Sequence, residues 1–253
     1  MLVRELVTYF SELLSIEEFS KADASMNGLQ VGHGKSEVTR VAFAVDACME
    51  SFRRTVESGC NVLFVHHGLF WGKPIRVVGS HYERLKFLMD NGVSLIAAHL
   101  PLDQHPEFGN NAGIVKALGL TEVEPFGSYK GIKIGYKGRF PQKRDLNEVL
   151  KLSGLTRQTA RSILPFGPDE ISTVGVISGG AAFDVQQAVE EHLDLYITGE
   201  ETHSVYHLCL EEGINMISGG HYNTEIWGVR ALSERLAEEM KVETLFIDIP
   251  SGL

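Results

Sequence analysis

Apolar positions recur along this chain in two rhythms. Leu2, Leu6, Phe10 and Leu13 stand at helical spacing, and Val3, Val7 and Leu14 widen that stripe. The pattern predicts an amphipathic helix packed on a core. Residues 20–34 are loop-like, with Asp23, Ser25, Asn27, Gly28, Gly32 and Gly34. Asn27-Gly28 offers a tight turn there. Beyond Arg40 the rhythm changes. Short apolar runs at 40–46, 62–65 and 93–97 are separated by helical patterns at 47–57 and 82–89, and a further helix covers 108–119.

Residues 120–170 change character, with an extended segment at 132–138, a short helix at 145–151 and a break at Pro165, Gly167 and Pro168. The alternation then returns. Strands are expected at 173–178, 193–198, 214–218 and 242–247, with helices at 184–191, 204–212 and 224–240. Strands poor in charge that alternate with helices predict parallel βαβ packing, hence an α/β fold. The step from Val41 to Val62 is 21 residues, and so is the step from Val174 to Leu195. This repeat divides the chain into an N-terminal lobe, 1–126, a linking subdomain, 127–170, and a similar C-terminal lobe, 171–253, packed as one unit.

Parallel sheets place ligands at the loops after their strands. His66 and His67 end one strand, His99 follows another with Asp103 close behind, and His221 follows a third with Glu225 four residues on. Successive side chains on an ideal strand point to opposite faces, but at a strand end the backbone can turn. The two histidines can then ligate two metals about 3.5–4 Å apart with a bridging carboxylate. Imidazole and carboxylate suit zinc, iron, cobalt, nickel or manganese. The plainer alternative is that one of the rings only hydrogen-bonds the backbone. His-x-x-x-Glu alone is a weak signal. Asp46 can line a cleft or cap the helix after it, and Trp71 and Tyr222 can stack on a ring or simply pack. Gly179-Gly180 and Gly219-Gly220 lack the lysine and hydroxyl of a phosphate loop.

Composition narrows the classes. The 253 residues are 43% hydrophobic, enough for a sizeable core, and contain no run of 18 apolar residues. Residues 1–6 carry no basic segment leading into an apolar stretch, so a secretory signal is not expected. The three cysteines, Cys48, Cys60 and Cys209, are odd in number and far apart, which suggests a reducing compartment and a cytoplasmic protein. A net charge of −10 argues against a broad nucleic-acid-binding surface.

Four motifs carry a resemblance. They are Met26-Asn27-Gly28-Leu29-Gln30-Val31, Val65-His66-His67-Gly68-Leu69-Phe70-Trp71, Ala98-His99-Leu100-Pro101-Leu102-Asp103 leading to Gly109-Asn110-Asn111, and Ser218-Gly219-Gly220-His221-Tyr222-Asn223-Thr224-Glu225. With them the whole chain resembles the NIF3-like family, also called GTP cyclohydrolase type 2 homologs, in its shorter bacterial form. The resemblance implies two βαβ-type lobes facing across a dinuclear metal cleft. It implies two divalent cations held by His66, His67, Asp103, His221 and Glu225, with Glu225 bridging, in a ring-shaped homohexamer. Many relatives have Thr after the histidine of the third motif, where this chain has Leu100 and Pro101. The first functional expectation is a metal-dependent hydrolase acting on a nucleotide or phosphoester, with an unidentified small molecule as substrate. The alternative is a non-enzymatic metal-binding, metal-delivery or interaction protein. In the hydrolytic case His99 or His203 would shuttle protons and Glu200 or Glu201 would orient a water, with His105 as a further relay.

Overall fold

The computed structural model describes residues 1–253, and the chain folds into two compact units, each built on its own sheet. The first unit comprises residues 1–102 and 229–249, the second 103–228 and 250–253. In chain order the first unit contributes α1 (Val3–Leu13), β1 (Gly28–Val31), β2 (Arg40–Asp46), α2 (Met49–Glu57), β3 (Val62–His67), α3 (Gly79–Asp90) and β4 (Ser94–Ala97). A short helix, α4 (Leu100–Gln104), carries the chain into the second unit. That unit holds α5 (Asn110–Leu118), β5 (Thr121–Tyr129), β6 (Ile132–Arg144), α6 (Leu146–Leu152), β7 (Ser162–Pro165), β8 (Ile171–Val176), α7 (Val185–Glu190), β9 (Leu195–Thr198), α8 (Tyr206–Glu212) and β10 (Asn215–Ser218). The long α9 (His221–Met240) starts there, and its residues from Val229 onward, with β11 (Glu243–Phe246), belong to the first unit.

The first sheet has the order β1-β4-β3-β2-β11 and is parallel except for β1. Its strands read as apolar runs because both faces are covered. Ala42, Ala44, Leu63, Val65, Leu95 and Ala97 pack with Phe52 of α2 and with Leu85 and Leu88 of α3. Phe10 of α1 lies with ring centroids 4.6 Å from Phe64 and 6.2 Å from Phe43. All three rings are fully buried. Each such side chain contributes roughly 1.5–3 kcal/mol by leaving water.

The second sheet has the order β5-β6-β8-β9-β10-β7, with β8-β9-β10 parallel and β5, β6 and β7 joined antiparallel. Ile114, Val115 and Leu118 of α5 pack with Val174, Val176, Leu195 and Ile197. The 21-residue repeat corresponds to real strand pairing, since Val41 pairs Val62 and Val174 pairs Leu195.

Three expectations need revision. Residues 127–170 do not stand apart as a linking subdomain, because β6 and β7 are strands of the second sheet. The final strand does not complete the C-terminal lobe but pairs parallel with β2 in the first sheet, Thr244 opposite Val41. The loop-like stretch 20–34 contains the edge strand β1, which pairs antiparallel with β4.

Candidate metal centre

In the first unit the parallel register sets the site. β2 and β3 pair so that Asp46 lies opposite His67, and Asp46 Oδ1 accepts from His67 Nδ1 at 2.9 Å. Asp46 is therefore a partner of His67, while Cys48 caps α2 by accepting from Ser51 N. His66 is fully buried, and its Nδ1 donates to the Ala98 carbonyl at 3.1 Å. Neither acceptor can donate, so each ring carries its proton on Nδ1 and its lone pair on Nε2 when neutral. The two rings sit 4.5 Å apart between centroids. His99 lies 5.1 Å from His66 and 5.7 Å from His67. Ligand-capable nitrogens of the three lie within 4.8 Å of one another.

His99 is held by a carboxylate that sequence reasoning passed over. Asp23 Oδ1 accepts from His99 Nδ1 and Ser25 N, both at 2.9 Å. Its Oδ2 accepts from Asn27 Nδ2 at 2.9 Å and Leu100 N at 3.0 Å. Asn27 in turn accepts from His99 N at 2.9 Å. Burial opposes ionisation of Asp23, but the hydrogen bonds and charge of His99, with the bonds from Asn27 and Ser25, outweigh it and lower its pKa. Gln30 clamps the turn after the histidines, accepting from Leu69 N at 2.7 Å and donating to Met26 O at 2.8 Å. A Cβ on Gly68 would meet the Gln30 side-chain amide and displace that clamp.

In the second unit α9 begins at His221 itself, which puts His221 and Glu225 on one helical face. His221 Nδ1 donates to Glu200 Oε1 at 2.6 Å, and its Nε2 stands 3.2 Å from Glu225 Oε2. Burial by itself would lower the His221 pKa. The hydrogen bonds and charges of Glu225 and Glu200 outweigh it and push the ring up to about 9. Two carboxylates thus favour positive charge at this ring. Gly179 has φ +67, and a Cβ there would come within 2.2 Å of Glu225 Oε1. Thr224 Oγ1 accepts from Gly179 N at 3.0 Å and fixes that approach. Asp103 is buried. Its Oδ1 accepts from Asn110 Nδ2 and Ser178 Oγ, each at 2.9 Å, and these bonds fix the carboxylate's plane.

The remaining candidates have other surroundings. Glu200 positions His221. His203 opens a helical turn before α8 and its ring meets His207 edge-on at 6.4 Å. His105 Nδ1 accepts from Phe108 N at 3.0 Å and its ring stacks on Phe108, a loop-capping role. Tyr222 is buried, whereas Trp71 is 37% exposed. Glu201 lies 3.7 Å from Arg161. As a donor set, tautomer-fixed imidazoles and buried carboxylates fit borderline divalent cations.

The Duf34/NIF3 (NGG1p interacting factor 3) family model matches residues 1–251. The chain belongs to this family. It is 43% identical to a "GTP cyclohydrolase 1 type 2 homolog" of Pyrococcus abyssi, over 98% of each chain, and 41% identical to one of Archaeoglobus fulgidus, over the whole of both. Among solved structures it is similar to TTHA1606 of Thermus thermophilus, with 40% identity and a TM-score of 0.88 over 100% of both chains. The protein ybgI, of unknown function, superposes with a TM-score of 0.89 at 31% identity, also over 100% of both. These likenesses establish the two-lobed α/β fold of the family. No helix is long and apolar enough to cross a membrane.

Proposed function

We propose that this Duf34/NIF3 family member is a divalent-metal-dependent hydrolase acting on a nucleotide or phosphoester, with two metal ions held by His66, His67, Asp103, His221 and Glu225. One observation carries the reading. In all three proposed imidazole ligands an acceptor holds Nδ1, namely Ala98 O, Asp46 and Glu200, so Nε2 is the ligand atom. Rings held through Nδ1 at the ends of neighbouring strands and at the start of α9 present their Nε2 lone pairs to a cation, which supports a ligand set. Bound divalent ions supply a polarised substrate oxygen and a water of lowered pKa. The chain's own part is to fix rings and carboxylates before any ligand arrives. Asn110 and Ser178 orient Asp103, Thr224 and Gly179 set the approach to Glu225, and Asp23 holds His99 as the ring available for proton transfer. The nucleotide class is supported by the name of the relatives at about 40% identity. The family resemblance supports a homohexamer as the assembly, which light scattering on the purified protein tests.

Metal content per chain, measured after gentle purification and in Glu225→Ala, is the first test. Two equivalents in the parent and at most one in the variant are expected; unchanged occupancy removes Glu225 from the ligand set. Turnover of GTP and phosphodiesters should then scale with occupancy and vanish in Asp103→Ala. Full occupancy with no turnover, and rapid metal exchange with an apo acceptor, would replace the hydrolase reading by one of metal delivery.

A further inference from the structure

The segment that follows the histidine pair is a run of exposed residues with no acid. Residues 71–80, Trp-Gly-Lys-Pro-Ile-Arg-Val-Val-Gly-Ser, are exposed throughout. They carry two cations, Lys73 and Arg76, and no acid, in a chain of net charge −10. At its head stands Trp71. The indole Nε1 donates to Gly68 O at 3.1 Å. The ring meets His99 edge-on at 5.0 Å and lies 5.9 Å from His67. Gly72 turns the chain at φ +67, where a Cβ would lie 3.1 Å from Ala24 O. Met26, 57% exposed, is tied through its N–H to Phe70 O, the residue before Trp71.

An indole whose single donor is already used recognises a ligand through its π face, not through a hydrogen bond. Stacking on such a face is tolerant of ring identity and worth about ten- to a hundred-fold in affinity. Lys73 and Arg76 follow at two and five residues, at most about 7 and 18 Å of extended chain from Trp71. Their long side chains shorten the reach still needed. An aromatic ring beside the proposed ligand His67 and the proton-transfer candidate His99, with two cations downstream, matches a ligand that joins a heteroaromatic ring to phosphates. An acidic peptide or a lipid headgroup would use the cations and leave the platform without a partner. A nucleic-acid strand would need a longer basic track than two cations on an acidic chain.

We infer that residues 71–76 are the substrate-recognition segment, with Trp71 stacking the ring of a free mononucleotide and Lys73 and Arg76 neutralising its phosphates. The inference rests on the hydrolase reading above and assigns that site's specificity. Calorimetric titration of the metal-loaded full-length protein tests it, with GTP, guanosine, inorganic triphosphate and a single-stranded oligonucleotide as probes. Metal content and melting temperature are measured on the same samples. Trp71→Leu should weaken GTP and guanosine about ten- to a hundred-fold, while Trp71→Phe stays within a few-fold of the parent. The double variant Lys73→Ala/Arg76→Ala should weaken GTP and triphosphate by about ten-fold, flatten the salt dependence and leave guanosine unchanged. The assignment is overturned if metal-loaded protein binds no nucleotide, if Trp71→Leu binds GTP as the parent does, or if the oligonucleotide binds more tightly than GTP. Should Trp71→Leu unfold, the phenylalanine and double variants decide the matter. Protein that takes up no metal, yet binds GTP with this variant pattern, would sink the hydrolase reading and uphold the segment.

Discussion

Replacing Asp23 by alanine should be among the most damaging single changes in the first unit. The Asp23 side chain is 1% exposed and receives four hydrogen bonds, from Ser25 N, His99 Nδ1, Asn27 Nδ2 and Leu100 N. Alanine removes every acceptor at once. The His99 side chain is 23% exposed and recovers part of its loss from water. Ser25 and Leu100 are buried, so their amides do not recover in the same way. A stranded buried donor costs about 1–3 kcal/mol, and bonds to a charged acceptor lie toward the upper end. Two such amides, with some re-solvation of the imidazole and the Asn27 amide, give about 3–4 kcal/mol. Asp23→Asn keeps one acceptor oxygen but turns an amide N–H₂ toward donors, and should cost about 2 kcal/mol.

Urea unfolding monitored separately for each unit is the assay, because a chain of two compact units need not unfold in one step. The loss should fall on the transition of the first unit, residues 1–102 and 229–249. A cost below about 1 kcal/mol in Asp23→Ala would refute the reasoning, since it would mean that water satisfies all four donors. The pH dependence gives a second check. The folded pKa of Asp23 lies below its unfolded value of about 3.9, so its stabilisation is fully present above that value and is lost as pH falls through the folded pKa. The part of the gap between parent and Asp23→Ala that comes from the carboxylate's charge should therefore shrink as pH falls below about 4.

Two further outcomes are expected. Glu200→Ala should lower metal affinity about ten- to a hundred-fold without unfolding the protein, because it removes the 2.6 Å bond that orients His221 and leaves the proposed ligands themselves in place; competition with a chelator of known affinity measures this. Gly179→Ala should lose metal binding, because its Cβ would meet Glu225 Oε1 at 2.2 Å, while Gly59→Ala, at φ +71 with nothing within 4 Å, pays only the left-handed backbone penalty of about 1–2 kcal/mol. Equal metal occupancy in the two glycine variants would show that Glu225 tolerates displacement.

What the sequence revealed of the fold follows from where burial leaves a period. β2, β3 and β4 are buried on both faces and read as apolar runs, and the 21-residue steps proved to be pairing registers. β5 is exposed along most of its length and had no alternation to detect. β1 is only four residues long and was absorbed into a glycine-rich loop. β11 reads as a strand, but a strand's own pattern does not name its neighbour, and it pairs with β2 in the first sheet. The helical pattern read from the sequence begins at 224, whereas α9 begins at His221. The Gly220 turn, at φ +99, allows the helix to begin at His221.

The candidate ligands are legible in the sequence and their supports are not, for one physical reason. Ligand residues are recognisable by type, because few side chains offer a nitrogen lone pair or a carboxylate at a strand end. Their supports are ordinary residues made special by register. Asp46 reaches His67 because β2 and β3 pair in parallel with those two residues opposed. Glu200 follows β9 and His221 follows β10, and those neighbouring parallel strands carry the two side chains to the same sheet edge. Asp23 meets His99 across 76 positions, through the antiparallel pairing of β1 with β4. In each case the acceptor sits on the strand beside the histidine's own, or on the loop at its end. Neighbouring parallel strands thus supply both a candidate ligand and the group that fixes its tautomer, Asp46 with His67 in the first unit and Glu200 with His221 in the second.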